Sequence, residues 1–177
     1  KKIRKNIFII EDSAHAFCGE YNNNPVGKFS DFTVFSFYAT KSITCGEGGA
    51  IITNHKSYSD KIRSISNNGM TKPAFKRFVN NKYIPWDVYN YGFKSNLSDI
   101  NASILVDQIK EYSKIAKQKK IIFKKLKKKL SKIPQISFPI ENPNKNRDYY
   151  LFPIGVEKKF KDKLIEYLLK KRIFVTV

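Results

Sequence analysis

Short apolar runs separated by turn residues fill the first seventy positions, and two long stretches of helical spacing follow. Residues 7–10 form an apolar run that ends in Glu11 and Asp12. This predicts a buried strand whose last residues carry carboxylates. The Asn-Asn-Asn-Pro run at 22–25 predicts a turn. Residues 32–37 are aromatic and β-branched and predict a second strand. A tight Gly-Glu-Gly-Gly turn at 46–49 leads into a third strand over 50–53. A helix over 57–66, ended near Gly69, comes next.

Residues 70–95 lose all periodicity. Pro73, Phe75, Phe78, Tyr83, Pro85, Trp86, Tyr89 and Tyr91 mark a long aromatic loop, and long ordered loops usually serve function. Ser98 is placed to cap a helix in which Leu97, Ile100, Ile104, Leu105 and Ile109 keep helical spacing. A further helix over 112–131 sets Ile115, Ile122, Leu126 and Leu130 against a lysine-rich solvated side. From about residue 133 the pattern predicts a strand over 135–140, a loop over 141–147 and a strand over 149–156. A helix over 158–171 and the start of a strand at 173–177 follow. The expected fold class is α/β, with residues 1–131 in a large domain and 132–177 in part of a small α+β unit.

With 41% hydrophobic and 28% charged residues, the 177-residue chain is expected to fold as a soluble protein. Its apolar runs fall well short of the roughly 20 residues that span a bilayer. The net charge of +19 raises nucleic-acid binding. Arginine, however, occurs only at 4, 63, 77, 147 and 172, and phosphate-clamping sites favour its planar fork. Abundant lysine, asparagine and isoleucine point instead to compositional drift and solvated faces, so neither nucleic acid nor membrane is expected as a partner. Cys18 and Cys45 lack metal-binding spacing and are expected to be reduced thiols in a cytoplasmic protein. The first residue is not Met and the last residues are apolar, so both ends are read as cut.

One lysine breaks the pattern. Lys41 follows the aromatic run and precedes the glycine turn, away from the lysine clusters. Asp12 ends the first strand, His15 comes three residues later, and Ser36 ends the second strand. In α/β sheets, ligands gather at the carboxyl ends of strands. Pyridoxal phosphate (PLP) chemistry needs these groups together. It uses an amine for a Schiff base, a carboxylate facing the pyridine nitrogen, a flat group beside the ring and hydroxyls for the phosphate. Each residue alone has an ordinary structural use, such as a turn-capping Asp or a snorkelling Lys. Their order and spacing together favour the chemical reading.

Three segments resemble the DegT-type nucleotide-sugar aminotransferases: residues 10–17 (IEDSAHAF), 27–41 (GKFSDFTVFSFYATK) and 44–54 (TCGEGGAIITN). Asn68-Gly69-Met70 and 91–102 (YGFKSNLSDINA) resemble them too. The resemblance implies a fold-type I PLP-dependent transferase with a mixed, mostly parallel sheet. It also implies a homodimer with shared active sites. Such enzymes move an amino group, typically from glutamate, onto a nucleotide-linked keto sugar for surface polysaccharide or glycan precursors. By residue match, Lys41 is the Schiff-base lysine and proton shuttle, and Asp12 pairs with the pyridine nitrogen. His15 lies beside the ring and Ser36 contacts the phosphate. Asn96 matches a segment that reaches a partner's phosphate, although many members place that asparagine where this chain has Lys94. Cys18 stands where glycine is common. The family's phosphate-binding helix and ring-stacking aromatic residue have no match, so a central fragment inactive by itself is expected. Two alternatives remain: a sugar dehydratase, which carries histidine in place of the lysine, and a non-catalytic remnant serving as an interaction module.

Overall fold

The computed structural model describes residues 7–72, 76–142 and 145–177. Pro73 and Phe75 of the aromatic loop, and Pro143 and Asn144 of the loop expected over 141–147, lie outside the described residues. The first part of the chain forms β1 (Ile10–Asp12), β2 (Glu20–Tyr21), β3 (Asn24–Pro25), β4 (Phe32–Ser36), β5 (Gly49–Ile52) and α1 (Lys56–Ile65). Then come β6 (Phe78–Val79), β7 (Lys82–Tyr83) and α2 (Asp99–Leu130), followed by β8 (Ile136–Ser137), β9 (Lys145–Asn146), β10 (Gly155–Val156) and α3 (Lys158–Lys170). None of these helices is long and apolar enough to cross a membrane.

The central sheet is mixed. β1 runs parallel to β4, with Asp12 opposite Val34. β5 runs antiparallel to β4, with Gly49 opposite Ser36. Side chains alternate along a strand, so β4 turns Phe35 one way and Val34 and Ser36 the other. Beyond the strand, Phe37 joins Ile43, Cys45, Leu105 and Tyr112 in the buried core, with Phe17, Phe35, Leu97 and Ala116 packed around them. Phe17 meets Phe35, Phe37 and Tyr112 edge-on. Cys45 is one of the free, buried members of this core and fills space there.

The first strand was expected to be buried, yet Ile10 is 67% exposed. β1 and β5 are the two edges of this three-stranded sheet, and only β4 is paired on both sides. Edge position, which hydrophobicity does not reveal, explains the difference.

The two helices expected over 98–109 and 112–131 are one helix of 32 residues, α2. The Ile-Lys-Glu-Tyr junction at 109–112 has no glycine or proline to interrupt it. Ser98 caps the helix as expected, accepting a bond from the Asn101 amide at 3.2 Å. The buried side is Leu105, Tyr112 and Phe123, whereas Ile122 is 57% exposed. The aromatic side chain wins the inward phase because Phe123 packs edge-on against Tyr149 and Phe152.

The loop over 70–95 is more ordered than its composition suggests. β6 and β7 form a hairpin whose turn residues Asn80 and Asn81 both have positive φ, as a type I′ turn requires. Asn22 and Asn23 do the same between β2 and β3. Bridges join Asn67 to Lys94 and Met70 to Val88. At Gly69, with φ +73, an added Cβ would lie 1.7 Å from the Asn90 carbonyl oxygen, so no other residue fits.

The strand expected over 149–156 shrinks to β10, paired with β8, and Tyr149 at its expected start has a φ of 54, outside extended backbone. The strand expected at 173–177 does not form. Arg172 has a φ of 58, and the Ile173 amide returns to the Leu168 carbonyl at 2.9 Å, closing α3 with a left-handed cap. β9 pairs with β2, so the chain after residue 131 adds a strand to the hairpin near the start.

Candidate active site

Asp12 is the last residue of β1, and Ser36 the last of β4. The parallel register sets Asp12 opposite Val34, two residues before Ser36. Both polar side chains therefore stand on the same face at the carboxyl end of the sheet. Asp12 is exposed, and its Oδ1 accepts the Ala14 amide at 3.1 Å. It is thus also the turn-capping residue that ordinary structural logic allows. Ser36 is half-buried, and its Oγ lies 3.4 Å from the Tyr38 amide.

After β4 the chain makes a turn, closed by the Lys41 amide bonding to the Tyr38 carbonyl at 2.9 Å. Lys41 is half-buried. The Gly46–Gly49 turn then folds back on the core. At Gly48 an added Cβ would meet the Cys45 sulfur at 2.6 Å and Leu97 at 2.9 Å, so the glycine lets the turn sit close. Phe35 and Phe37 pack towards Phe17 and do not supply the ring beside Lys41. That ring belongs to Tyr150, whose centroid is 5.5 Å from Lys41 Nζ. The same ring packs on His15, centroid to centroid 4.8 Å.

The structure thus brings His15 and Lys41 to one ring, with Asp12 and Ser36 at the neighbouring strand ends. Asn96 stands apart. It lines a cleft of about 530 Å³ with Val34, Gly49, Ile62 and Arg63. Lys94 lies in the bridge to Asn67.

Sequence reading missed Tyr150 and the buried carboxylate two residues before it. Asp148 is only 6% exposed. Its carboxylate accepts hydrogen bonds from the Ser42 hydroxyl and from the Tyr112 hydroxyl. Tyr112 also lies 2.8 Å from the Phe17 carbonyl oxygen. Nothing in local sequence signals that a carboxylate 106 residues beyond Ser42 pairs with it.

Burial, then the hydrogen bond and negative charge of Asp148, push the Tyr112 phenol far above its usual range. The folded chain therefore keeps this proton at a pH where the unfolded chain, ionising near about 10, loses it. The stabilisation is full below about pH 10 and falls above it by about 1.4 kcal/mol per pH unit for this one proton. Tyr112→Phe is expected to lose about 1–3 kcal/mol at pH 7 and to lack this part of the alkaline slope. Urea unfolding between pH 7 and 11 measures both, and an unchanged slope in the variant refutes the assignment.

Cys18, where the resembled family commonly has glycine, has a φ of 54. The left-handed backbone there is the physical reason for a glycine preference.

A family model described as the DegT/DnrJ/EryC1/StrS aminotransferase family matches residues 2–177. The chain is 31% identical over 176 residues to the uncharacterized protein MJ1066 of Methanocaldococcus jannaschii, covering 97% of this chain and 46% of that protein. It is 32% identical over 153 residues to the spore coat polysaccharide biosynthesis protein SpsC of Bacillus subtilis, covering 86% and 39%. Among solved structures, the putative sugar aminotransferase Spr1654 from Streptococcus pneumoniae in its PMP form matches with a TM-score of 0.85 and 26% identity, over 97% of this chain and 45% of that one. Helicobacter pylori PseC, an aminotransferase involved in the biosynthesis of pseudoaminic acid, matches with a TM-score of 0.80 and 27% identity, over 93% and 43%. The chain spans less than half the length of each of these relatives.

Proposed function

We propose that this chain, which belongs to the DegT/DnrJ/EryC1/StrS aminotransferase family, carries the amine and carboxylate side of a PLP site that transfers an amino group from glutamate to a nucleotide-linked keto sugar. The family is PLP-dependent, and Spr1654 has been solved in PLP and PMP forms. The observation that carries the reading is the convergence of Lys41 and His15 on one ring, beside the strand ends that bear Asp12 and Ser36.

These residues fit PLP by their chemistry. A primary amine and an imidazole share the Tyr150 ring, a carboxylate and a hydroxyl end β1 and β4, and the amine is half-buried. Bound there, PLP supplies an electron sink. Asp12 holds the proton on the pyridine nitrogen through its negative charge. His15 offers a flat face that orients the ring. Ser36 would offer its hydroxyl to the phosphate, and Asn96 or Lys94 would serve the phosphate of a neighbouring site. Lys41 would provide the amine that holds the cofactor and would hold and move a proton at Nζ. The product is an amino sugar for polysaccharide or glycan assembly, made in the cytoplasm by a homodimer with shared sites. The 177 residues by themselves do not complete the reaction.

The direct test is to incubate the protein with PLP, reduce with borohydride, digest it and map the pyridoxyl group. Selective labelling at Lys41 is expected. Selective labelling at another lysine refutes the assignment, and indiscriminate labelling favours a non-catalytic interaction module.

A further inference from the structure

Three consecutive residues of the Lys41 turn meet one three-residue segment from far along the chain. The Thr40 hydroxyl lies 3.4 Å from the Tyr150 hydroxyl. Lys41 Nζ lies 5.5 Å from the centre of the Tyr150 ring, within the range of a cation–π contact. The Ser42 hydroxyl donates to the buried Asp148 carboxylate. Between Asp148 and Tyr150, Tyr149 takes a φ of 54, an uncommon conformation for a bulky aromatic residue. Its ring is held edge-on by Phe123 at 5.1 Å. A backbone outlier of this kind persists when its neighbours are fixed on both sides. Here Asp148 is fixed by Tyr112 of α2 and Tyr150 by His15 and the Lys41 turn.

We propose that Tyr150 is a positioning residue for Lys41 and His15, and that Asp148 is the anchor that sets it there. This rests on the reading of Lys41 as the PLP amine. Tyr150 presents a ring face that limits where the Lys41 amine travels and sets the tilt of the imidazole. Asp148 fixes both ends of the arrangement, because it binds the residue after Lys41 and sits two residues before Tyr150. Its buried carboxylate has polar partners from two distant parts of the chain, Ser42 and Tyr112. A surface loop of the same composition has no need of such an anchor.

The experiment uses the 177-residue chain with limiting PLP and borohydride, scoring the pyridoxyl label at Lys41 against the exposed Lys82. Tyr150→Leu is expected to lower that ratio about two- to tenfold, because the amine and its turn lose the ring face that positions them. Tyr150→Phe keeps the ring face and is expected to stay within about a factor of two. Asp148→Asn removes the charge while keeping the shape, and is expected to lower the ratio as Tyr150→Leu does. Amide hydrogen exchange over 38–46 is measured on the same proteins and is expected to quicken in Tyr150→Leu and Asp148→Asn but not in Tyr150→Phe. Wild-type label at Lys41 with an unchanged ratio in Tyr150→Leu overturns the proposal. Absence of wild-type label from Lys41 overturns the functional reading instead. Positioning of the turn is then judged by hydrogen exchange, and unchanged exchange over 38–46 in both variants overturns it.

Discussion

Lys41→Ala is expected to abolish conversion of bound PLP to PMP by glutamate in the whole protein that carries this chain. The rate is expected to fall by at least about four orders of magnitude, the upper end of what a positioned acid–base group contributes. Alanine removes both the attaching amine and the proton carrier at Nζ. The spectral change on mixing with glutamate measures the effect in a single turnover. It separates lost chemistry from lost binding, because PLP retained through gel filtration reports binding independently. Added methylamine is expected to restore part of the rate, since it supplies a free amine to the space left by the side chain. Glutamate-driven conversion at near the wild-type rate in Lys41→Ala would remove Lys41 from the reaction.

Asp12→Asn is expected to retain the fold and to lose roughly three orders of magnitude in kcat/KM or more, if charge on the pyridine nitrogen is the main lever. The amide keeps the size of the carboxylate and accepts the Ala14 amide as Oδ1 now does, so the turn after β1 survives. What it lacks is the negative charge that keeps a proton on the pyridine nitrogen. Far-UV circular dichroism and the thermal midpoint check the fold, and steady-state amination checks the chemistry. A fall in stability together with unimpaired turnover would leave Asp12 as the turn cap alone.

The elements that the sequence announced are those set by local rules. β4, α1, the Ser98 cap and α3 follow from alternation, helical spacing and capping, and all formed within a residue or two of expectation. Asp12 and Ser36 drew attention because they end β1 and β4, and His15 and Lys41 because they follow those strand ends by three and five residues. The family resemblance rested on contiguous motifs, and the match over residues 2–177 agrees with it. What was not legible depends on partners far along the chain. Exposure of Ile10 is a property of sheet order. The inward phase of Phe123 is decided by Tyr149 and Phe152. Tyr150 gave no signal at all, since a tyrosine in an apolar run reads as core. Only the fold shows that it faces Lys41. The asparagines at 22–23 marked the turn that formed there, and the pair at 80–81 carries the same signal, because Asn-Asn between short extended runs suits a type I′ turn.

The bond between Ser42 and Asp148 also has a consequence in time. It joins residues 106 positions apart, whereas α2 closes its hydrogen bonds within single turns. Local structure of that kind forms before long loops close, because loop closure costs entropy that only later contacts offset. On a ribosome adding roughly 5–20 residues per second, the turn bearing Lys41 leaves the exit tunnel about 5–20 seconds before Asp148 does. Through that interval the lysine waits without its aromatic neighbour, so its surroundings take their final shape only after α2 has emerged.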